Sequence, residues 1–528
     1  MISKVLKRLS WGTKPEVFVR DFFANLPPCP TPSGRVLQYV GINSMYLTPM
    51  EILLYHLLRQ RGYEVDYLIY DQAVPINEIL TKHREETQGR EAFFAKSYAN
   101  GQRLLEAGNV DFQHIPISEE ARPIADNLPD LEAVLGYHYD DIDFGNIVSG
   151  AMYRYYKSLT FGDGALDIAR RALTTALSNY FCVRDRCQQR DYDFVAFSHG
   201  IYMTWQPVVE FCARHSMPYV CYDRAKTRDH GNFNVNQPSP DWSIDTAWQR
   251  YGHRELAAVE TEKVHEYLRD RELQTGDVYA YNSSKRAEDL ANERARLGIP
   301  ANRRIVTIFT NLIWDAANVC RDVAFDSAFD CVVQTIRHFR GNDDVQIVLR
   351  SHPAEKVLGT SDRYADLVLG HFNGKLPSNV TLIQPEDEVN SFTMIDLSDI
   401  GVVNTSTVGL EMAALGKPVL LIAQTHYRGK GFTYDVASSQ EYFDRLQELL
   451  TSPTVLPDQV KLAEKYFFLM MFRYQQHLPT RYSADGQFRG YSAATFRELS
   501  GDEPLIKICD QLLEGQPTDF VDWPAADD

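Results

Sequence analysis

At 528 residues the chain is too long for one ordinary hydrophobic core and fits two large domains. Its hydrophobic fraction of 44% and aromatic fraction of 12% specify packed globular structure and exclude a disordered chain. The formal net charge of −17 excludes a general nucleic-acid binder, while leaving room for a locally basic site that takes an anionic substrate.

The first fourteen residues lack the apolar core of a secretory signal. They set Lys4, Lys7, Arg8 and Lys14 among Val5, Leu6, Leu9 and Trp11, a short basic amphipathic pattern. Peripheral contact with anionic lipid and a solvated terminus both suit residues 1–14. No apolar run is long enough to span a bilayer. The eight cysteines form no C-x-x-C pair and lie in apolar segments, which reads as reduced, buried thiols of a cytoplasmic protein.

After a proline-rich stretch (Pro27, Pro28, Pro30, Pro32) a βαβ unit begins. Arg35–Val40 reads as a buried strand and Gly41-Ile42-Asn43-Ser44 as its turn. Thr48-Pro49-Met50-Glu51 reads as a capping box with proline at the first helical position. The helix stops at Gly62, and Glu64–Tyr70 returns as strand. Residues 72–190 carry apolar and aromatic residues at helical spacing. A second βαβ unit follows with strand Phe194–Phe197, helix Tyr202–His215 and strand Tyr219–Tyr222; its first strand ends in Ser198-His199-Gly200-Ile201-Tyr202. Residues 255–300 are charged and helical, broken at Thr275-Gly276 and Gly298-Ile299-Pro300, and a domain boundary is expected near 300. Beyond it, strands are expected at Ile305–Phe309, Val345–Leu349, Val380–Ile383, Ile400–Val403 and Val419–Ala423, alternating with helices. That alternation implies a parallel, doubly wound α/β sheet. From 456 onward a helical tail rich in Phe and Tyr is expected to pack back on the first domain.

Ligands of such a sheet bind beyond the carboxyl ends of its strands. Those ends read Arg350-Ser351-His352-Pro353-Ala354-Glu355, then Gln384-Pro385, then Asn404-Thr405-Ser406-Thr407-Val408-Gly409-Leu410-Glu411, then a loop holding Arg428, Lys430 and Gly431-Phe432-Thr433. Singly, each has an ordinary reading: helix capping, a structural histidine, a turn, a solvated basic loop. On one rim they suit a nucleotide with phosphate. Ser406, Thr407 and Gly409 open a helix where free amides attract an anion. Glu411 can accept ribose hydroxyls, and His352, fixed by Pro353, can donate to phosphate. Arg428 and Lys430 can neutralise a leaving phosphate or an acidic sugar. Catalytic candidates at strand ends are His199, Asp223 and Asp315. No Asp-x-Asp triplet sits where it would hold a metal–diphosphate, so neither metal dependence nor a cofactor is expected.

These residues also carry a family resemblance. The chain resembles the capsular polysaccharide synthesis family, which includes the Kdo transferases of bacterial capsules and lipopolysaccharides. The match lies in Arg350 to Glu355 (the HP motif), Gln384-Pro385 (the QP motif), Ser406 to Glu411 with Gly416-Lys417-Pro418, and Gly431-Phe432-Thr433. It covers about 300–435 well, and the first domain only through Ser198 to Tyr202. The resemblance implies a GT-B fold with two facing Rossmann-like domains: an acceptor domain over 1–300, a donor domain over 301–455 and a returning tail over 456–528. It places the nucleotide-sugar donor, CMP-activated by preference, beside Arg350, His352, Pro353, Glu355, Gln384 and Pro385. A saccharide or glycolipid acceptor belongs to the first domain, and the setting is cytoplasmic, at the inner face of the membrane. A sugar-nucleotide epimerase and a catalytically silent scaffold of polysaccharide assembly remain the rival readings.

Overall fold

The computed structural model describes residues 14–524 apart from 45, 274–284, 316–320, 484–485, 502 and 516. The basic stretch before Lys14, the break at Thr275-Gly276 and Cys320 lie outside the described residues. The chain forms two compact units. One comprises the residues up to Tyr155, Gly162–Ser243 and Tyr474–Phe520; the other comprises Tyr156–Phe161, Ile244–Arg473 and Val521 onward.

This division differs from a boundary near 300. The charged helix Ala258–Leu273 belongs to the second unit, where it packs on helix Gln459–Leu469. Tyr267 meets Phe467 edge-on with centroids 5.4 Å apart, and His265 Nε2 lies 2.7 Å from Glu464. Charged residues on its outer face hide that apolar stripe from a reading by composition. The tail is likewise divided, with 474–520 in the first unit.

In the first unit, β1 (Gly34–Gly41), β2 (Tyr63–Ile69) and β3 (Phe112–His114) run parallel. After a small hairpin of β4 (His138–Tyr139) and β5 (Ile142–Asp143) come β6 (Phe194–Ser198), β7 (Tyr219–Arg224) and β8 (His230–Val235). The sheet order is 476–477, β8, β7, β6, β1, β2, β3, with the first two additions antiparallel. The sheet is therefore mixed at one edge rather than wholly parallel. Its central strands are buried on both faces, which is why they read as nearly continuous apolar runs. Helix Thr48–Gln60 is buried along almost its whole length. Glu51 is part of that burial and not of a capping box: Leu47 occupies the N-cap, and Glu51 accepts the Tyr222 hydroxyl at 3.2 Å.

The second unit holds a six-stranded parallel sheet of β9 (Arg304–Phe309), β10 (Val345–Arg350), β11 (Val380–Ile383), β12 (Ile400–Val403), β13 (Val419–Leu421) and β14 (Tyr434–Asp435). Their order is β11-β10-β9-β12-β13-β14. The chain winds outward from β9 in one direction and then restarts at β12 in the other. The crevice at the carboxyl ends of β9 and β12 is the topological switch point where such sheets bind ligands. In the first unit the same logic marks the ends of β1 and β6.

Candidate functional site

The second unit has a cleft at its switch point. Its walls come from Thr310 after β9, Arg350 to Pro353 after β10, Ser406 to Val408 after β12, and Glu411. Arg271, Ser391 and Phe392 complete it. The loop ends are tied to one another: the Thr310 amide donates to Arg350 O (3.1 Å), and the His352 amide donates to Thr310 Oγ1 (3.2 Å). Asn311 Nδ2 donates to Thr405 Oγ1 at 2.5 Å.

His352 Nδ1 accepts the Ala354 amide at 3.1 Å. A ring nitrogen that accepts cannot carry a proton, so the neutral imidazole bears its proton on Nε2 and is a donor there. Ser406 Oγ accepts the Val408 amide at 3.3 Å, and Ser406 O accepts the Tyr427 hydroxyl at 2.6 Å. The helix that follows, Val408–Ala414, has seven residues, and Thr407 at its N-cap makes no side-chain cap. So short a helix adds little dipole, and the polarity of the cleft comes from side chains instead.

Glu411 is buried, with Oε1 accepting Arg271 Nε at 3.2 Å. Arg271 is the residue that sequence reasoning missed. It arrives from a helix 140 residues earlier, and no motif surrounds it. Gly409 is not among the residues that line the cleft. A Cβ there would sit 2.4 Å from the Tyr427 hydroxyl and 2.9 Å from Val403 Cγ2, so its glycine permits close packing.

Other rim residues hold the loops. Arg350 lines the cleft, yet its guanidinium donates to Gln384 O and Val389 O, both at 3.1 Å. Burial pushes it down to about 10. Gln384 thus contributes its carbonyl to that clamp; neither it nor Pro385 lines the cleft. Glu355 is buried away from the lining, accepts the Tyr364 amide at 3.3 Å, and is pushed up to about 7 by burial. Arg428 spends its guanidinium on three carbonyls, those of Leu421 (3.2 Å), Ala423 (3.3 Å) and Val436 (2.8 Å). Lys430 is ion-paired with Asp245. The expected phosphate cations of this loop are therefore engaged in bracing it. Asp315 lies outside the cleft, its amide donating to Leu312 O at 3.2 Å.

In the first unit, His199 and Asp223 come together at the carboxyl ends of β6 and β7. His199 Nε2 lies 3.4 Å from Asp223 Oδ2. The imidazole stacks on Trp205, with centroids 4.9 Å apart and planes 12° apart. The turn is strained: His199, Gly200 and Tyr202 all have positive φ (59°, 80° and 71°). Several contacts hold it. Trp205 Nε1 donates to Val40 O (3.0 Å), Glu78 accepts the Thr204 amide (2.6 Å), and Arg154 Nη1 donates to Tyr202 Oη (3.1 Å). Burial lowers the His199 pKa, and Asp223 opposes that by raising it. Its Nδ1 is buried with no hydrogen-bond partner among the described residues. A neutral, braced imidazole beside a carboxylate is equipped to take a proton.

Residues 246–449 match the sequence model of the family described as capsule polysaccharide biosynthesis protein. No curated protein matches the chain. Among solved structures, the chain is similar to the KpsC beta Kdo 2,4 transferase of Thermosulfurimonas dismutans (15% identity, 55% of this chain and 82% of that one, TM-score 0.36). It is also similar to the UDP-GlcNAc 2-epimerase of Neisseria meningitidis (12% identity, 81% and 94%, TM-score 0.22). A third likeness is to the sucrose-phosphate synthase of Thermosynechococcus elongatus (12% identity, 84% and 95%, TM-score 0.29). At these scores none fixes a residue's role. The matched segment contains the whole parallel sheet from β9 to β14 and all the cleft residues.

Proposed function

We propose that the protein is a glycosyltransferase of surface-polysaccharide assembly whose second unit holds the nucleotide of an activated sugar. The observation that carries this reading is the switch-point cleft, where His352, Ser406, Thr407, Arg271 and Glu411 converge within the segment that matches the capsule family. His352 offers a fixed donor and Arg271 a cation for phosphate, while Glu411 offers a carboxylate for ribose hydroxyls. The HP-like segment Arg350 to Glu355 favours a CMP-activated acid sugar. The first unit serves the saccharide acceptor, and His199, supported by Asp223, takes the proton of the acceptor hydroxyl as the new glycosidic bond forms.

Thermal stabilisation by CMP, UDP, GDP and CDP selects the donor class, because a ligand that binds only the folded state raises its stability. CMP is expected to give the largest shift. Release of nucleotide only when acceptor is present marks transfer. Interconversion of the donor without acceptor would make the protein an epimerase, and binding without turnover would make it a scaffold. Glu411→Gln keeps the shape and removes the charge. It is expected to weaken binding of free nucleotide and to raise the donor KM by the same factor, roughly tenfold for a charge-assisted bond of about 1.5 kcal/mol, with little change at saturation. Collapse of saturated turnover with unchanged nucleotide affinity would make Glu411 a catalytic group instead.

A further inference from the structure

One sizeable cavity lies away from both switch-point crevices. It occupies about 1060 Å³ inside the first unit, among the helices that follow β2. The loop Gln72–Pro75 forms one side. Helices Arg90–Ala107, Ala121–Asp126 and Ala165–Gln189 form the others. Its size lies at the upper end of small-molecule sites, roughly 300–1,000 Å³.

Four arginines line it, Arg90, Arg122, Arg170 and Arg171, against three carboxylates, Glu91, Asp126 and Asp167. Among the lining residues cations outnumber acids by one, in a chain where acids exceed cations, 71 to 54. Two of the arginines are built into the wall. Arg171 holds Glu85 through both guanidinium nitrogens (2.7 and 2.8 Å), and Tyr155 donates to the same carboxylate at 2.7 Å. Asp167 is 74% exposed and only 3.6 Å from Arg171, so it faces mainly water. Arg170 Nη2 donates to Leu128 O at 2.5 Å, and its Nε is buried with no partner among the described residues. Arg90 and Arg122 make no ion pair among the described residues, although carboxylates are nearby. Apolar surface from Val74, Pro75, Phe94 and Leu166 is interleaved with these cations.

We infer that this cavity is a binding site for an acidic saccharide. Guanidinium forks match carboxylates in two-point geometry. Glu91 and Asp126 accept sugar hydroxyls, and the apolar residues receive the C–H faces of the rings. A cavity of this size takes several sugar units, so the ligand is a segment of acidic chain rather than one monosaccharide. Naming that chain as the acceptor rests on the transferase reading; the binding itself does not.

The test is calorimetric titration of the full chain, without nucleotide, with hexamers of galacturonic acid and of sialic acid. Maltohexaose serves as the neutral control and a phosphorylated glycan fragment as the other anion. An acidic hexamer is expected to bind, more weakly at higher salt, while maltohexaose does not. The double variant Arg90→Ala, Arg122→Ala is expected to lose roughly ten- to a hundredfold in affinity. Neither side chain makes a hydrogen bond or ion pair among the described residues, so nucleotide stabilisation of the same variant is expected to stay at the wild-type value and reports that it is folded. Arg122→Lys retains part of the binding. Equal binding of acidic and neutral hexamers, binding of the phosphorylated glycan alone, or wild-type affinity in the double variant would overturn the assignment. Loss of nucleotide response in the wild-type chain, with acidic saccharide still bound, would remove the transferase reading and leave the cavity's role standing.

Discussion

Replacing Gly409 by alanine separates a packing role from a binding one. The glycine sits in helix Val408–Ala414 with an ordinary helical φ, so alanine is conformationally acceptable and gains up to about 1 kcal/mol in helix propensity. Against that, the new Cβ falls 2.4 Å from the Tyr427 hydroxyl and 2.9 Å from Val403 Cγ2. Both side chains are fully buried, and the Val403 side chain is stiff at χ1. Overpacking of this kind costs about 1–3 kcal/mol, and displacing the Tyr427 hydroxyl from Ser406 O costs about 1 kcal/mol more. The net expectation is a loss of about 1–3 kcal/mol, read as a lower urea midpoint at unchanged m-value. Tyr427→Phe alone costs about 1 kcal/mol, but in the Gly409→Ala background it relieves the shorter clash, so the two changes couple by about 1 kcal/mol in the favourable direction. Relief is incomplete because Val403 stays. Wild-type stability in Gly409→Ala, or strict additivity in the cycle, would refute the packing account and return Gly409 to the ligand.

Arg350→Lys keeps a charge but loses at least one of the two carbonyl bonds that pin Gln384 and Val389; a stability loss of about 1–3 kcal/mol is expected in urea unfolding, and unchanged stability with lost nucleotide binding would contradict the clamp. Glu51, pushed up to about 8 by burial, holds a proton that the unfolded chain releases above about 4.5. Its stabilising contribution is therefore complete below that value and is lost as pH rises through 8. The urea midpoint of wild type relative to Glu51→Gln is expected to fall over that window, and a pH-independent difference would show that Glu51 is ionised in the folded state. Asp223→Asn removes the charge that raises the His199 pKa, so the acid limb of kcat/KM is expected to move to lower pH as turnover falls; an unmoved limb would show that His199 does not govern it.

The strands were legible because a parallel sheet buries both faces, which makes each strand a short apolar run. Val380–Ile383 and Ile400–Val403 are found as read, and the other seven expected strands shift by a residue or two at their ends. Most of the strands that escaped notice have only two or three residues; His230–Val235 and Phe488–Tyr491 are longer. Gln476–His477 joins β8 from nearly 250 residues away, and Phe488–Tyr491 lies in a tail whose aromatic spacing mimics a helix. Neither feature leaves a period to read. The domain boundary escaped for a related reason: the stripe that binds helix Ala258–Leu273 to Gln459–Leu469 is narrow on a helix otherwise made of charges.

Within the candidate site, the rim was legible but the division of labour along it was not. Sequence places Arg350, His352, Gln384, Glu411 and Arg428 at strand ends without saying which way each faces, and a cation at a strand end has two possible partners. One is a ligand; the other is the set of backbone carbonyls that a loop exposes where the ladder stops. Those carbonyls must be satisfied when buried. The loop after β13 has no ladder of its own until β14, and Arg428 supplies the missing donors there. Arg350 does the same for the turn after β11. His352 is differently placed, because Pro353 and the Ala354 amide fix its ring through Nδ1 and leave Nε2 as the proton-bearing nitrogen. The cation that lines the cleft and meets Glu411 comes instead from Arg271, on a helix that no strand-end motif identifies. Strand-end motifs thus locate the crevice, and the demand of each loop for hydrogen-bond donors decides which of its cations are left to serve it.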